Sequence, residues 1–332
     1  MRRPAIALAL IGSIALLATA ATQAGRDTRS AQPFSVMLDW TPNPDHVGLY
    51  VAKDQGLFAK VGLNVAIHAP SDATTPLKLV ALGRVDVAIS YEQEVFYANA
   101  KKLPVAAVAA VVPRPLNSFM AITPAIKTIG DIKGKTVGIT GVPSDYATLE
   151  TALASVGLTR HDVKVVSVGY NLLPALLAHR VDVVLGVYRN VEAVQATLAG
   201  FTPRVMPVNT VGMPSYDELV LVANRNRLDS DSSYRANVRS LVAGIIAGTS
   251  LARSHPALAL SVMRRETSLG TAFLTASTTA TLPLLAGPRG PGCLSTSDWA
   301  AFERWLVSRG LLSTTLPLAD VVRTEALPSG CR

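Results

Sequence analysis

The sequence predicts an α/β fold of two lobes, each built on a doubly wound and mostly parallel sheet, with a ligand cleft between the lobes. Short apolar runs rich in β-branched residues alternate with helical segments along most of the chain, and this alternation is typical of parallel sheets. Two fragments, GRVDVAISYEQE and HRVDVVLGVYRNVE, are also similar to each other. They indicate one structural unit that is present in both lobes.

The first lobe is predicted from apolar runs that alternate with helices. The runs FSVML, NVAIHAP, VDVAIS and PVAAVAAVV are expected to form strands. Helices are expected at Asp45–Ala59, Thr74–Leu82 and Tyr91–Lys101, and Gly62 suits the position that follows the first of them. A polar linker at residues 25–32 precedes the first strand.

The same pattern begins again after a further strand, SFMAIT, which predicts a second lobe inserted into the first. The second lobe is assigned residues 123–218, and the first lobe residues 33–122 and 219–332. The chain is therefore expected to cross between lobes near Ile122 and Leu219, with the strand in DELVLVANRN returning it to the first lobe. The C-terminal part is predicted as helices at Ser233–Ser254, Pro256–Glu266 and Ser297–Ser308.

The N-terminal segment, residues 1–24, has the pattern of a secretory signal peptide. Two arginines precede an apolar core at Ala5–Leu17, and small residues allow cleavage after Ala20 or Ala24. The alternative interpretation, a retained membrane anchor, is disfavoured because the apolar segment is short. We predict an exported protein, periplasmic or extracellular. Because no Cys lies near the cleavage region, a lipid anchor at that position is not predicted.

Composition excludes some classes of protein. Hydrophobic residues make up 49% of the 332 residues, which excludes a disordered chain. The net charge is +8, but the basic residues are scattered singly, so a nucleic-acid partner is not predicted. The two cysteines, Cys293 and Cys331, form an even pair that in an exported chain predicts a disulfide. Without a nearby His, they do not predict a zinc site.

The stretch Leu38–Leu57, LDWTPNPDHVGLYVAKDQGL, is where a ligand site is expected. An apolar strand breaks at Asp39 and Trp40 into a Pro-rich loop, and a helix follows. Ligands of open α/β sheets bind at such a junction of strand end and helix start. A Trp ring and a carboxylate suit a flat molecule with polar edges. The alternative is a capped turn with a half-buried Trp.

Several fragments resemble the extracytoplasmic solute-binding proteins of ABC importers, in the branch that binds thiamine-pyrimidine precursors and riboflavin-type ligands. The resemblance implies the two-lobed periplasmic-binding-protein architecture, a monomer without cofactor or metal, and ABC permease and ATPase subunits as partners. It covers about residues 34–224 and rests on these fragments: LDWTPNPDHVGLYVAKDQGLF, GRVDVAISYEQEV, IGDIKGKTVGI, VDVVLGVYRNVEAVQ and MPSYDELVLVAN.

The resemblance also implies roles for particular residues. Trp40 and Tyr188 would sandwich a heteroaromatic ring, and Glu192 would pair with the ring's amino and nitrogen edge. The tyrosines could instead be core rings, the glutamates first-turn acids favoured by the helix dipole, and His46 a capping residue. Ser144, in the turn TGVPSD, could cap the following helix or hold a ligand oxygen. The full candidate lining is Asp39, Trp40, Asn43, His46, Tyr91, Glu92, Ser144, Tyr188, Glu192 and Tyr216.

An enzyme hypothesis comes from a pyrimidine synthase that belongs to the resembled branch. That enzyme needs a Schiff-base Lys, a donor His and an iron-binding Cys cluster. Here Ser90 stands at the Lys position, Glu94 at the His position, and VGMPSYDEL has no Cys. A binding protein without catalytic residues is therefore predicted.

The expected ligand is a small, flat nitrogen heterocycle, with an aminopyrimidine precursor of thiamine as the first candidate. The candidate acids would repel an anion, whereas a carboxylate and an aminopyrimidine edge share two directed hydrogen bonds. Riboflavin, or another aromatic or sulfonate solute, is the alternative.

Overall fold

A computed structural model describes residues 31–331, and the predicted signal peptide, with most of the predicted linker, lies outside the described residues. Within this range the strands are β1 (Gln32–Met37), β2 (Leu63–His68), β3 (Val87–Ser90), β4 (Val105–Val112), β5 (Asn117–Ala121), β6 (Thr136–Ile139), β7 (Lys164–Ser167), β8 (Val183–Tyr188), β9 (Arg204–Pro207) and β10 (Leu219–Asn224). The α-helices are α1 (Val47–Asp54), α2 (Leu57–Lys60), α3 (Thr75–Ala81), α4 (Glu92–Ala100), α5 (Pro143–Ala154), α6 (Leu172–Leu177), α7 (Glu192–Leu198), α8 (Arg225–Ser230), α9 (Ser232–Ser254), α10 (Pro256–Glu266), α11 (Thr271–Thr281), α12 (Thr296–Ser308) and α13 (Leu318–Val321).

The strands form two five-stranded sheets with matching topology. The first sheet has the order β2-β1-β3-β10-β4 and the second β7-β6-β8-β5-β9. In each sheet one strand, β10 or β5, runs antiparallel to both of its neighbours, and β1 and β6 pair in parallel with their neighbours. The predicted α/β class with two mostly parallel sheets is confirmed.

The similarity between GRVDVAISY and HRVDVVLGVY corresponds to a shared structural device. Asp86 precedes β3 and accepts the backbone N–H of Ser35, in the neighbouring β1, at 2.8 Å. Asp182 precedes β8 and accepts the N–H of Thr136, in the neighbouring β6, also at 2.8 Å. The repeated Asp therefore fixes the start of a strand against its parallel neighbour in each sheet.

The strand β5 corrects the predicted point of crossing. Sequence analysis placed it in the first lobe, but it pairs with β8 and β9 in the second sheet. The chain thus passes between the sheets at residues 113–116 rather than near Ile122. The prediction was wrong because the apolar run of β5 suits either sheet, and the local sequence pattern does not indicate which one it joins. The other lobe limits stay a prediction.

The helix α1, which follows the loop after β1, is held by a close helix crossing. A Cβ atom added at Gly48 of α1 would collide with Thr249 of α9, and one added at Gly248 would collide with the backbone of α1. Since both residues lack side chains, α1 and α9 approach closely. This packing fixes the start of α1, and with it the loop that precedes it.

The C-terminal part differs from its prediction in two details and agrees in a third. The helix α11, rich in Thr and Ala, was not predicted, and α12 begins at Thr296, one residue before the predicted Ser297. The disulfide between Cys293 and Cys331 is present, as predicted. Among the residues the structure describes, no helix is both long and apolar enough to span a membrane.

Candidate functional site

A pocket lies between the two sheets, at the ends of β1, β3, β6 and β8. Its empty space, which includes open solvent, is about 530 Å³. Eight of the ten predicted ligand-binding residues line it: Asp39, Trp40, Asn43, Tyr91, Ser144, Tyr188, Glu192 and Tyr216. Both halves of the molecule therefore contribute, and contact of these side chains with a ligand stays a prediction.

His46 lies behind the lining, which corrects its predicted place. It is only 1% exposed. Its Nδ1 accepts the backbone N–H of Asn43 at 3.3 Å, so Nε2 is the protonated nitrogen, and it donates to Oδ1 of Asp39 at 2.8 Å. His46 is thus the capping residue of the alternative interpretation, and it orients the Asp39 carboxylate that does line the pocket.

Glu92 also lies outside the lining. Its side chain is 1% exposed, and Oε2 accepts the backbone N–H of Asp217 at 2.6 Å. Burial raises the pKa of this carboxyl well above its usual value, and the negative charge of Asp217 adds to the effect. Glu92 therefore holds the segment before β10 from behind the lining.

Two carboxyl groups in the pocket are held by backbone N–H donors. Oε2 of Glu192 accepts the N–H of Tyr188 at 2.8 Å. Oε2 of Glu218 accepts the N–H groups of Leu116 and Asn117 at 2.7 and 2.8 Å. Burial raises the pKa of Glu192, and likewise that of Glu218, to about 7. Both groups are consequently poised between the acid and the carboxylate near neutral pH.

Glu218 also joins the two passages of the chain between the sheets. It directly precedes β10, whereas the N–H groups that it binds belong to the passage before β5. The hydroxyl of Tyr216 donates to the same Oε2 at 3.0 Å. A single buried carboxyl that lines the pocket therefore connects both crossings.

The aromatic wall around Trp40 is fixed by groups from both halves. The ring of Tyr170, which follows β7, lies 3.9 Å from the Trp40 ring between centroids at an interplanar angle of 61°. The Tyr170 hydroxyl donates to the backbone carbonyl of Asp39 at 3.2 Å, and the Tyr91 hydroxyl donates to Oδ2 of Asp39 at 3.2 Å. Trp40 is therefore held in place on the side away from the pocket, where Tyr170 contributes to a neighbouring cavity.

Comparisons with known proteins identify the family of this chain. The sequence profile described as NMT1/THI5 like matches residues 43–259. The chain belongs to the NMT1/THI5-like family. A Haemophilus influenzae protein named as a thiamine biosynthesis protein is 33% identical over 292 residues, which cover 87% of this chain and 91% of that protein. The formylaminopyrimidine-binding protein of Halalkalibacterium halodurans is 36% identical over 218 residues, or 65% and 66% of the two chains.

Among solved structures, this family member is similar in fold to the alkanesulfonate-binding protein SsuA of Xanthomonas axonopodis pv. citri, which is bound to MOPS. The TM-score is 0.69 at 18% identity, and the match covers 89% of this chain and 98% of that one. At that identity the likeness establishes the fold alone, which is that of the periplasmic solute-binding proteins. The architecture that the resemblance implied is thereby confirmed.

Seven further residues line the pocket of this NMT1/THI5-like chain without having been predicted. Asn117 and Glu218 lie at the two crossings, so only the folded chain brings them together. Asp145, by contrast, stands one residue after the predicted Ser144 in TGVPSD, and its acidity was a signal that could have been used. The seven are Gln93, Asn117, Thr140, Val142, Asp145, Gly186 and Glu218.

The charge of the lining is one-sided. Four of its fifteen described residues are acids, namely Asp39, Asp145, Glu192 and Glu218, and none is Lys, Arg or His. Arg189, which directly follows the lining residue Tyr188, donates to the carbonyl of Pro115 at 2.6 Å and is not part of the lining. Burial lowers its pKa. The pocket is thus suited to hydrogen-bond donors and to neutral or cationic groups.

Proposed function

We propose that this protein is the exported solute-binding component of an ABC importer and that it carries a small, flat nitrogen heterocycle. An aminopyrimidine precursor of thiamine is the first candidate. The name of the Halalkalibacterium relative, a formylaminopyrimidine-binding protein, supports that choice. The permease and ATPase subunits of the importer are the proposed partners.

The observation that carries the proposal is the combination of rings and acids in one pocket. Trp40 and Tyr188 offer faces for stacking, while Glu192 and Glu218 offer acceptors for the amino and ring-nitrogen edge of a pyrimidine. An anion would lie among four acidic side chains and would meet no cationic side chain in the described lining. The free-energy cost of that repulsion and desolvation is larger than the gain from ring stacking. Sulfonate and nitrate are therefore disfavoured.

A second candidate ligand is a larger ring system of the flavin type. Beside the pocket lies another space of about 1070 Å³, part of which is open solvent. It shares Trp40, Asn43 and Glu192 with the pocket and is otherwise mostly apolar, with Leu172 and Phe273 in its wall. A ligand too large for the first pocket could extend into this space. An aminopyrimidine would leave it empty.

A catalytic role has less support. Ser90 and Glu94 stand where the resembled synthase needs Lys and His, and Glu94 accepts the backbone N–H of Ser144 at 2.8 Å. Neither side chain forms a Schiff base. Binding without turnover is the proposed activity.

Isothermal titration calorimetry on the secreted protein tests the proposal with a panel of an aminopyrimidine, thiamine, riboflavin, taurine and nitrate. We expect the aminopyrimidine to bind with a sub-micromolar Kd, which corresponds to a binding free energy of more than about 8 kcal/mol in magnitude. Trp40→Ala is expected to weaken binding of any ring ligand. Tight binding of taurine or nitrate that is unchanged in Trp40→Ala would overturn the proposal, and tight riboflavin binding alone would select the second candidate.

A further inference from the structure

Gln93 is a buried residue of the pocket lining whose side chain has an unused hydrogen-bond acceptor. The residue is 2% exposed and belongs to the lining. Its Oε1 atom is enclosed and has no hydrogen-bond partner among residues 31–331. Buried polar atoms nearly always have such a partner, because an unpaired one costs free energy. The described chain therefore leaves this oxygen without a donor.

The other two side-chain amides of the described lining are used by the protein itself. Oδ1 of Asn43 accepts the backbone N–H of Asp45 at 2.8 Å, and Oδ1 of Asn117 accepts that of Gly186 at 3.1 Å. Enclosed side-chain atoms without a partner also occur elsewhere in the described part of the chain, but among their residues Gln93 alone lines this pocket. Its position and its missing partner together point to a ligand as the donor.

The start of α4 is fastened on both sides of Gln93. Oε2 of Glu92, the preceding residue, accepts the backbone N–H of Asp217 at 2.6 Å. Oε1 of Glu94, the following residue, accepts the backbone N–H of Ser144 at 2.8 Å. The backbone of Gln93 is thus held between two other segments of the chain. A hydrogen bond from a ligand to its side chain would consequently require little further ordering of the protein.

We propose that Gln93 is a specificity-determining residue that accepts a hydrogen bond from a hydroxyl or amino substituent on the ring of the ligand. The inference rests on the proposed function, in which Glu192 and Glu218 bind the amino and ring-nitrogen edge of an aminopyrimidine. Gln93 then binds a second group of the same molecule. A site with a buried acceptor discriminates strongly against an analogue that lacks the donor, because the acceptor stays unpaired. The protein therefore selects substituted aminopyrimidines over purely alkylated ones.

Calorimetry with two matched ligands tests the inference. One is an aminopyrimidine that carries a hydroxymethyl group, and the other is the same compound with a methyl group in its place. We expect wild type to bind the hydroxymethyl compound at least about tenfold more tightly than the methyl compound. In Gln93→Leu, which removes the acceptor, the two affinities should lie within about twofold of each other.

Gln55→Leu is the matched control, because Gln55 is exposed and is not part of the pocket lining. It should keep the wild-type preference for the hydroxymethyl compound. Gln93→Met, with an unbranched side chain, replaces Gln93→Leu if circular dichroism shows that the latter is unfolded. In urea, the ligand-free Gln93 variant should unfold at a midpoint no lower than that of wild type, because the substitution removes an unpaired buried acceptor.

The inference is overturned if both compounds bind wild type and their affinity ratio is unchanged in the Gln93 variant, while the proposed function stands. A lower unfolding midpoint, or loss of folding in both Gln93 variants, would assign the side chain a structural role and would also overturn it. If neither compound binds wild type, the proposed function fails, and this inference fails with it.

Discussion

Tyr91 follows β3 of the first sheet, Tyr188 ends β8 of the second, and a glutamate opens the helix after each strand. In the second sheet Glu192 lines the pocket and turns back to the N–H of Tyr188. In the first, Glu92 is buried against Asp217 and is not part of the pocket lining. Both tyrosines reach the pocket, but only one of the two glutamates does.

The difference follows from spacing. Glu92 comes directly after Tyr91, whereas residues 189–191 separate Tyr188 from Glu192. The intervening residues let the second glutamate face the strand end that it follows. A repeated sequence pattern therefore gives equivalent strands and helices, while one short insertion decides which of the two glutamates lines the pocket.

The largest expected effect separates the two glutamates by stability. Glu92→Ala should lower the free energy of unfolding by about 2–4 kcal/mol, because it leaves a cavity and an unpaired Asp217 N–H in the interior. Glu192→Ala, at a less buried position, should cost about 0.5–1.5 kcal/mol, the range for one lost hydrogen bond. Urea unfolding followed by circular dichroism measures both values. Equal losses would mean that the two acids have the same structural role.

A smaller effect concerns Glu218, the acid that Tyr188 faces, and its contribution to the pH dependence of folding stability. Its pKa rises from 4.5 in the unfolded chain to about 7 in the fold through burial, so the folded state favours the protonated form. The stability linked to this group is complete below about pH 4.5 and is lost as the pH rises through about 7.

Glu218→Gln should therefore reduce the loss of stability between pH 5 and pH 8, by on the order of 1–3 kcal/mol. Burial also raises the pKa values of Glu192 and Asp45 to about 7. These two groups should therefore preserve part of the decrease in stability with pH in the variant. Thermal unfolding of the ligand-free protein across this pH range is the measurement. If stability decreases with pH in the variant as it does in wild type, Glu218 does not titrate between pH 5 and pH 8.

Local pattern was sufficient for most of the fold. The apolar runs of β1, β3 and β4 were predicted because strands buried in such sheets are nearly continuous in apolar residues. The helix α11 was missed because its Thr- and Ala-rich sequence has little apolar periodicity. The sheet of β5 was misassigned because pairing partners far apart in the chain leave no local signal.

The candidate site was predicted where it depends on strand ends and missed where it depends on long-range contacts. Trp40 lies at the end of a predicted strand, and Tyr188 was predicted from the family resemblance. Glu218 is 101 residues from Asn117, whose N–H it binds, and no spacing rule connects them. His46 was placed in the lining because its contact with Asp39 depends on the turn of the intervening loop.

The comparison of the two glutamates is tested most directly by calorimetry of Glu192→Gln and Glu92→Gln with the same aminopyrimidine. Each change replaces one acid by its amide, so the size of the side chain is preserved. We predict that Glu192→Gln weakens binding by about 1.5–3 kcal/mol, the range for a hydrogen bond to a charged group. Glu92→Gln should stay within about 0.5 kcal/mol of wild type, as expected for a residue outside the site. Equal weakening in both variants, or a loss confined to Glu92→Gln, would contradict the assignment of the ligand edge to the Tyr188–Glu192 end.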